Sequence, residues 1–147
     1  MLHIEIDSSN FERGMARLLQ NMENRRPITA GIAAELLSMS EDNFASESWG
    51  GDSWAQSKRA NREGGKTLQK TGQLAASLTT QSSNDFARIG TNKIYAAIHH
   101  MGGQAGRGRK VNIPARPYLP INGSGNLQAN AEKQILDIVK DALTRGI

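Results

Sequence analysis

Two prolines, Pro114 and Pro117, stand three residues apart in the run Ile113-Pro-Ala-Arg-Pro-Tyr-Leu119, and no other feature limits the fold of this chain so tightly. Each proline fixes its own φ, removes a backbone donor and pushes its predecessor out of the α region. Residues 113–119 are therefore predicted to be extended, and the missing N–H groups place them at a sheet edge. The residues leading in from Ile89 carry other constraints: a strand end, a short apolar turn over 94–101 closed by Gly102, and the glycine-rich basic loop GGQAGRGRK. None of these has the spacing of a catalytic site. The stretch reads as shape and contact.

Around it the chain is organised as follows. Leu2, Ile4 and Ile6 alternate with polar residues, the pattern of a half-buried strand over 2–7. Ser9 stands three before Glu12, the capping-box spacing, and Phe11, Met15, Leu18, Leu19 and Met22 follow as one apolar stripe. That predicts a helix over 10–24. Pro27 suits the first turn of a second helix, in which Ile28, Ile32, Leu36 and Leu37 continue toward Phe44. Residues 46–70 hold two glycine pairs and two tryptophans without periodicity, so a long irregular connection is expected, with one helical turn around Trp54. Trp49 and Trp54 either anchor it to the core or meet a partner. Residues 74–81 and 86–91 read as a hairpin around Ser83-Asn84-Asp85, with a helical start also open because Leu74 and Leu78 are four apart. Leu127, Ile135, Ile138, Val139, Ala142 and Leu143 mark a terminal amphipathic helix.

Composition narrows the classes. At 147 residues the chain is expected to be one domain, 1–147, with the irregular segment at 46–70 and a flexible basic loop at 102–112. There are no cysteines, which excludes disulfides and thiol chemistry. No leader and no membrane-spanning run is visible, so a soluble protein is expected. The net charge of +4 is unevenly spread. Residues 1–52 carry four arginines against nine carboxylates, a net of −5, whereas 53–117 carry eleven basic residues against two carboxylates, a net of +9. Such polarity suits complementary faces stacking head to tail, a basic surface near nucleic acid, or two unrelated solvated faces.

Three ordered blocks carry a family resemblance. The first is Leu68, Thr71-Gly72, Leu74 and Ser77-Leu78. The second is Ile89-Gly90-Thr91-Asn92 with Tyr95-Ala96, Ile98-His99 and Gly102-Gly103. The third is Ile113-Pro114-Ala115-Arg116-Pro117-Tyr118-Leu119. Together they resemble the phage virion morphogenesis proteins, the tail-completion family of Mu-like and related contractile-tailed phages. Gly51 and Trp54 are similar to a further family motif, although the proline that should precede that glycine is missing. The resemblance is concentrated between about 50 and 120. It implies a structural, non-enzymatic assembly protein at the end of the tail that meets the head, working as a ring.

The same residues have physical readings of their own. Arg116, stiffened by flanking prolines, offers a planar fork of donors. It can clamp the proline segment to a neighbouring carboxylate or loop, contact another subunit, or bind phosphate. His99 and His100 are adjacent and point about 100° apart on a helix, so they do not chelate one ion well; His99 is expected beside Tyr95, bonding a backbone carbonyl. Arg107, Arg109 and Lys110 lie in a loop that lacks the order of a nucleotide-binding motif, and suit either DNA or a neighbouring subunit. No catalytic set, cofactor or metal is expected.

The expected fold is therefore α+β: an antiparallel sheet of about four strands (2–7, 74–81, 86–91 and 113–119) packed with two N-terminal helices and a C-terminal helix. The expected role is tail completion or head-tail joining in a virion or prophage, by a homo-oligomeric ring such as a hexamer. Its partners would be tail tube, sheath or head-neck proteins, and assembly would occur in the bacterial host cytoplasm. The alternative is a small DNA-contacting accessory module that uses the basic loop.

Overall fold

One long helix organises the molecule. The computed structural model describes residues 2–5 and 7–147. Within it α2 (Arg26–Ser46) starts with Pro27 in its first turn, as the missing N–H favours. The face it buries is broad and partly polar: Ile28, Ala33, Met39 and Phe44, but also Thr29, Ser40 and Asn43. Its neighbours explain that width, since the C-terminal helix α6 (Ala131–Leu143) and two hairpins pack against it. At Gly31 the helices come so close that a Cβ would lie 3.2 Å from Ile138 Cγ2.

The first helix, α1 (Ser9–Glu23), forms where the apolar stripe predicts it. Its cap differs from the expected box. Ser8 is the N-cap residue and its hydroxyl donates to Glu12, while the Asp7 carboxylate accepts from the Ser9 N–H at 2.9 Å. The helix is tied to the end of α6 by polar side chains. Asn21 Nδ2 donates to the carbonyls of Leu143 (2.8 Å) and Arg145 (3.0 Å), and Arg17 Nε donates to the latter as well. Those carbonyls belong to the frayed end of α6, where intrahelical donors run out.

The α+β class holds, but the single four-stranded sheet does not form. Three separate antiparallel hairpins take its place. The first joins β1 (Ser48–Trp49) to β2 (Asp52–Ser53) through Gly50 and Gly51, both at positive φ as a tight hairpin turn requires. The second pairs β3 (Thr79–Ser82) with β4 (Ala87–Gly90), Thr79 opposite Gly90. The third pairs β5 (Gly103–Ala105) with β6 (Val111–Ile113) across a 3-10 turn at Arg107–Arg109, so residues 102–112 form a hairpin. Residues 2–5 form no strand, and Leu2 and Ile4 are exposed; Ile6 lies outside the described residues. Alternation marks which face a strand would bury, yet it supplies no neighbour to pair with. Residues 114–119 are irregular beyond β6, for a reason given below.

Short helices complete the chain. The helical turn expected at Trp54 is displaced to α3 (Lys58–Glu63), capped by the Ser57 hydroxyl. A four-residue helix, α4 (Gln73–Ala76), precedes β3, as the Leu74 and Leu78 spacing allowed. Next, α5 (Ala96–Met101) ends at Gly102 with φ +74°. Leu127 stands before α6 and forms an isolated bridge to Ile121. The hairpin tip is tethered to α2: Thr29 Oγ1 donates to Ser83 O at 2.6 Å, and Arg25 pairs with Asp85 at 2.8 Å. Among the described residues no helix is long and apolar enough to cross a membrane.

Phe44, Trp54, Leu74, Leu78, Ala96 and Tyr118 make the core cluster. Phe44 stacks on Tyr118 (centroids 5.2 Å, 26°) and meets Trp54 edge-on at 5.6 Å.

Candidate functional site

The twin-proline segment is built into this core without a partner strand. Its carbonyls are taken one by one by side chains from elsewhere. Trp54 Nε1 donates to Pro117 O (2.8 Å), Asn43 Nδ2 to Tyr118 O (3.1 Å) and Trp49 Nε1 to Leu119 O (3.0 Å). The N–H of Arg116 bonds His99 O at 2.9 Å, and those of Tyr118 and Leu119 converge on His100 Nδ1 at 3.2 and 3.4 Å. The Tyr118 hydroxyl donates to Ala96 O at 2.7 Å, and burial pushes its pKa up to about 12. Buried backbone groups must be paired somewhere, and here side chains do what a strand would otherwise do.

His100 is the hub of this clamp. Nε2 donates to Ile121 O at 2.6 Å, while Nδ1 accepts from the Tyr118 N–H, an arrangement that selects one neutral tautomer. Burial holds its pKa below the ordinary value, partly offset by the bond to Ile121. Sequence reasoning singled out His99 instead. His99 does lie edge-on to Tyr95 at 5.8 Å, but its Nδ1 is buried with no hydrogen-bond partner, so the expected bond from its ring to a carbonyl is not made. Only the fold separates the two: Ala96, four residues before His100 on the same helix face, is buried.

Arg116 is 7% exposed, and its Nε donates to Ala55 O at 2.6 Å, an internal tie to the loop after β2. Arg116 lines a cleft of about 270 Å³ together with Ser57, Arg59, Leu68, Lys70, Thr71, Leu74, Tyr95 and His99. No carboxylate lines it. Burial, then the Arg116 charge, holds the His99 pKa below its ordinary value. Thus six of the family-motif residues, Leu68, Thr71, Leu74, Tyr95, His99 and Arg116, meet at one place.

The others have separate positions. Gly72 takes φ +71° at the start of α4, and Gly90 pairs with Thr79 at the end of the second hairpin. Thr91 shares a hydrogen bond of 2.6 Å with Ser77, and Asn92 is exposed nearby. Gly102 sits against the proline segment: a Cβ would lie 2.7 Å from Ala115 N. Gly103 opens β5. Pro114 is exposed and Pro117 half-buried. Arg107, Arg109 and Lys110 are exposed together at the tip of the third hairpin, and none of them lines the cleft. Sequence reasoning missed Arg59 and Lys70, which join the cleft only through the fold.

A second surface lies on α1. None of its residues is buried, and Phe11 (69%), Met15, Leu19 (56%) and Met22 expose the stripe that identified the helix.

Comparison with known proteins accords with this arrangement of motifs. A model described as the phage virion morphogenesis family matches residues 6–144. The chain is similar to Mu-like prophage FluMu G protein 2 of Haemophilus influenzae, with 39% identity covering 96% of this chain and 95% of that one. It is similar to the putative capsid assembly protein G of Escherichia phage Mu, with 34% identity over 83% of this chain and 81% of the relative. FluMu G protein 1 of Haemophilus influenzae shares 26% identity over 95% of this chain. No solved structure matches. A family match over nearly the whole length, with two relatives above thirty per cent identity, settles the affiliation: the chain belongs to the phage virion morphogenesis family.

Proposed function

We propose that this protein is a structural component of a phage or prophage virion, completing the tail and joining it to the head as a closed ring, a hexamer being one such ring. The observation that carries this reading is the uncovered apolar face of α1. An amphipathic helix draws most of its stability from burying that face, and contiguous exposed apolar surface marks a contact between proteins. A cyclic ring uses two different patches on each copy. The second is the shallow groove lined by Ile94, Ala97, Met101 and Leu119, where Ile94 is fully exposed. The relative named a capsid assembly protein supports an assembly role, and tail tube, sheath or head-neck proteins are the partners. The protein would act in the virion after assembly in the host cytoplasm.

The test is size-exclusion chromatography with light scattering on the full chain, at low and high salt, for the wild type and a Phe11→Ser/Leu19→Ser variant. A discrete multimer is expected, lost in the variant while its helical circular dichroism stays unchanged. A wild type that remains monomeric, together with purified particles that lack the protein, refutes the ring.

A second reading rests on the cluster Arg107, Arg109 and Lys110, exposed at one hairpin tip and making no ion pair among the described residues. In this reading the tip touches DNA passing the ring. The logarithm of duplex affinity would then fall linearly with the logarithm of salt concentration, with a slope of about −0.9 per neutralised phosphate, and serine at all three positions would flatten it.

A further inference from the structure

The cleft beside Arg116 presents a charge problem that the folded chain does not solve. Arg116 is almost fully buried, with one guanidinium nitrogen bonded to the Ala55 carbonyl. Arg59 and Lys70 add two further cations to the same walls. The ion pairs among the described residues are His3–Glu5, Arg25–Asp85 and Lys133–Asp137, and none reaches this cleft. His99 Nδ1, on a residue of the same lining, is buried without a partner. Burying a cation without a counter-charge is costly, so a site of this kind is completed by an anion.

We propose that the cleft is a carboxylate receptor, and that its occupant is an acidic side chain from residues 1–52 of a second copy of the chain. This rests on the ring reading and names one of its contacts. Three features favour a carboxylate from protein. A cavity of about 270 Å³ admits one side chain and excludes a duplex. Leu68, Leu74 and the Tyr95 ring give the methylene stem of such a side chain an apolar wall. The planar fork of Arg116 matches the two oxygens of a carboxylate. The source follows from charge. Residues 1–52 carry a net −5 against +9 over residues 53–117, which hold every cation of the cleft. Copies stacked acidic part to basic part offset the negative charge in full and the positive charge in part.

The experiment has two arms, both on the full chain. In the first, N-acetyl-L-aspartyl-N-methylamide and, separately, inorganic phosphate are titrated while the Thr71 amide and His99 ring signals are followed by NMR. The blocked aspartate is expected to shift both saturably, and the Arg59→Glu/Lys70→Glu variant to weaken it about tenfold. In the second, sedimentation at low salt is expected to show self-association weakened at least about tenfold by the same variant. Arg116→Lys, which keeps the charge and loses the fork, should lie between. Phosphate saturating the site while the blocked aspartate leaves it unchanged overturns the proposal. Self-association that survives the double substitution overturns it and leaves the ring standing. A wild type that never self-associates overturns this contact, and the ring falls with it only if purified particles also lack the protein, so the two failures are told apart.

Discussion

Replacing His100 by leucine tests the side-chain clamp most directly, because the volume is nearly kept while three backbone groups lose their partner. The buried Tyr118 N–H, 3.2 Å from Nδ1, is left without an acceptor, and the Leu119 N–H loses its weaker share. The Ile121 carbonyl, 2.6 Å from Nε2, loses its donor. A buried group stripped of its partner costs about 1–3 kcal/mol. The edge-on contact between His100 and Tyr118, with centroids 4.9 Å apart, contributes about 0.5–1.5 kcal/mol more. Two orphaned sites and the ring contact together give roughly 2.5–7.5 kcal/mol, or about 8–24 °C in Tm for a domain of this size. Urea unfolding at pH 7.5 measures it. His100→Asn, whose amide oxygen can stand near the Nδ1 position, and His100→Gln, which can reach Ile121 O, should each recover part of the loss. The wild type has a pH signature as well. Folded His100 titrates below its ordinary value of 6.5, so between the two values the unfolded chain binds the extra proton. The stability supplied by neutral His100 is complete above about 6.5 and is lost as pH falls toward the folded value, at no more than about 1.4 kcal/mol per pH unit. His99 is shifted the same way, so His100→Gln should flatten the profile without abolishing its slope. A leucine variant within about 1 kcal/mol of wild type, or parallel pH profiles for wild type and His100→Gln, would refute the reasoning.

Three further outcomes are expected from urea melts. Trp54→Phe should cost about 1–3 kcal/mol by freeing the Pro117 carbonyl, and Trp49→Phe less, about 0.5–1.5 kcal/mol, because that indole is only half-buried. Gly102→Ala should cost about 3 kcal/mol or more, since its Cβ meets backbone atoms at 2.7 and 3.0 Å. Gly125→Ala has a similar positive φ but open space around it, so it should cost only the backbone strain of about 1–2 kcal/mol. Gly31→Ala should loosen α6 from α2, and Ile138→Ala, which removes the Cγ2 methyl, should relieve it, giving a measurable coupling in a double-mutant cycle.

What could be read along the chain was whatever local periodicity or a single backbone constraint determines. The apolar stripe of α1, Pro27 at the start of α2, the turn residues between β3 and β4 and the left-handed Gly102 all fall where their neighbours in sequence require. Pairing partners are a different kind of information. Leu2 and Ile4 alternate correctly but have no strand beside them, and the proline segment is extended yet paired to side chains. The groups that replace a strand, the donors Asn43, Trp49 and Trp54 and the acceptor His100, stand far along the chain from the backbone groups they bond, and no short window contains that arrangement. The cleft is legible in part: six of its residues belong to family motifs, whereas Arg59 and Lys70 arrive from a segment that reads as irregular.

The occupied carbonyls of Pro117, Tyr118 and Leu119 limit how copies of this chain can join. Pro120 O is also taken, by the Gln128 N–H at 2.7 Å, so no free acceptor row remains along that stretch for an incoming strand. Growth by β-augmentation, the route by which extended segments template open-ended polymers, is closed there. Copies that meet at this surface must recognise one another through the shape and charge of their side chains, which favours an assembly of definite size over a fibre.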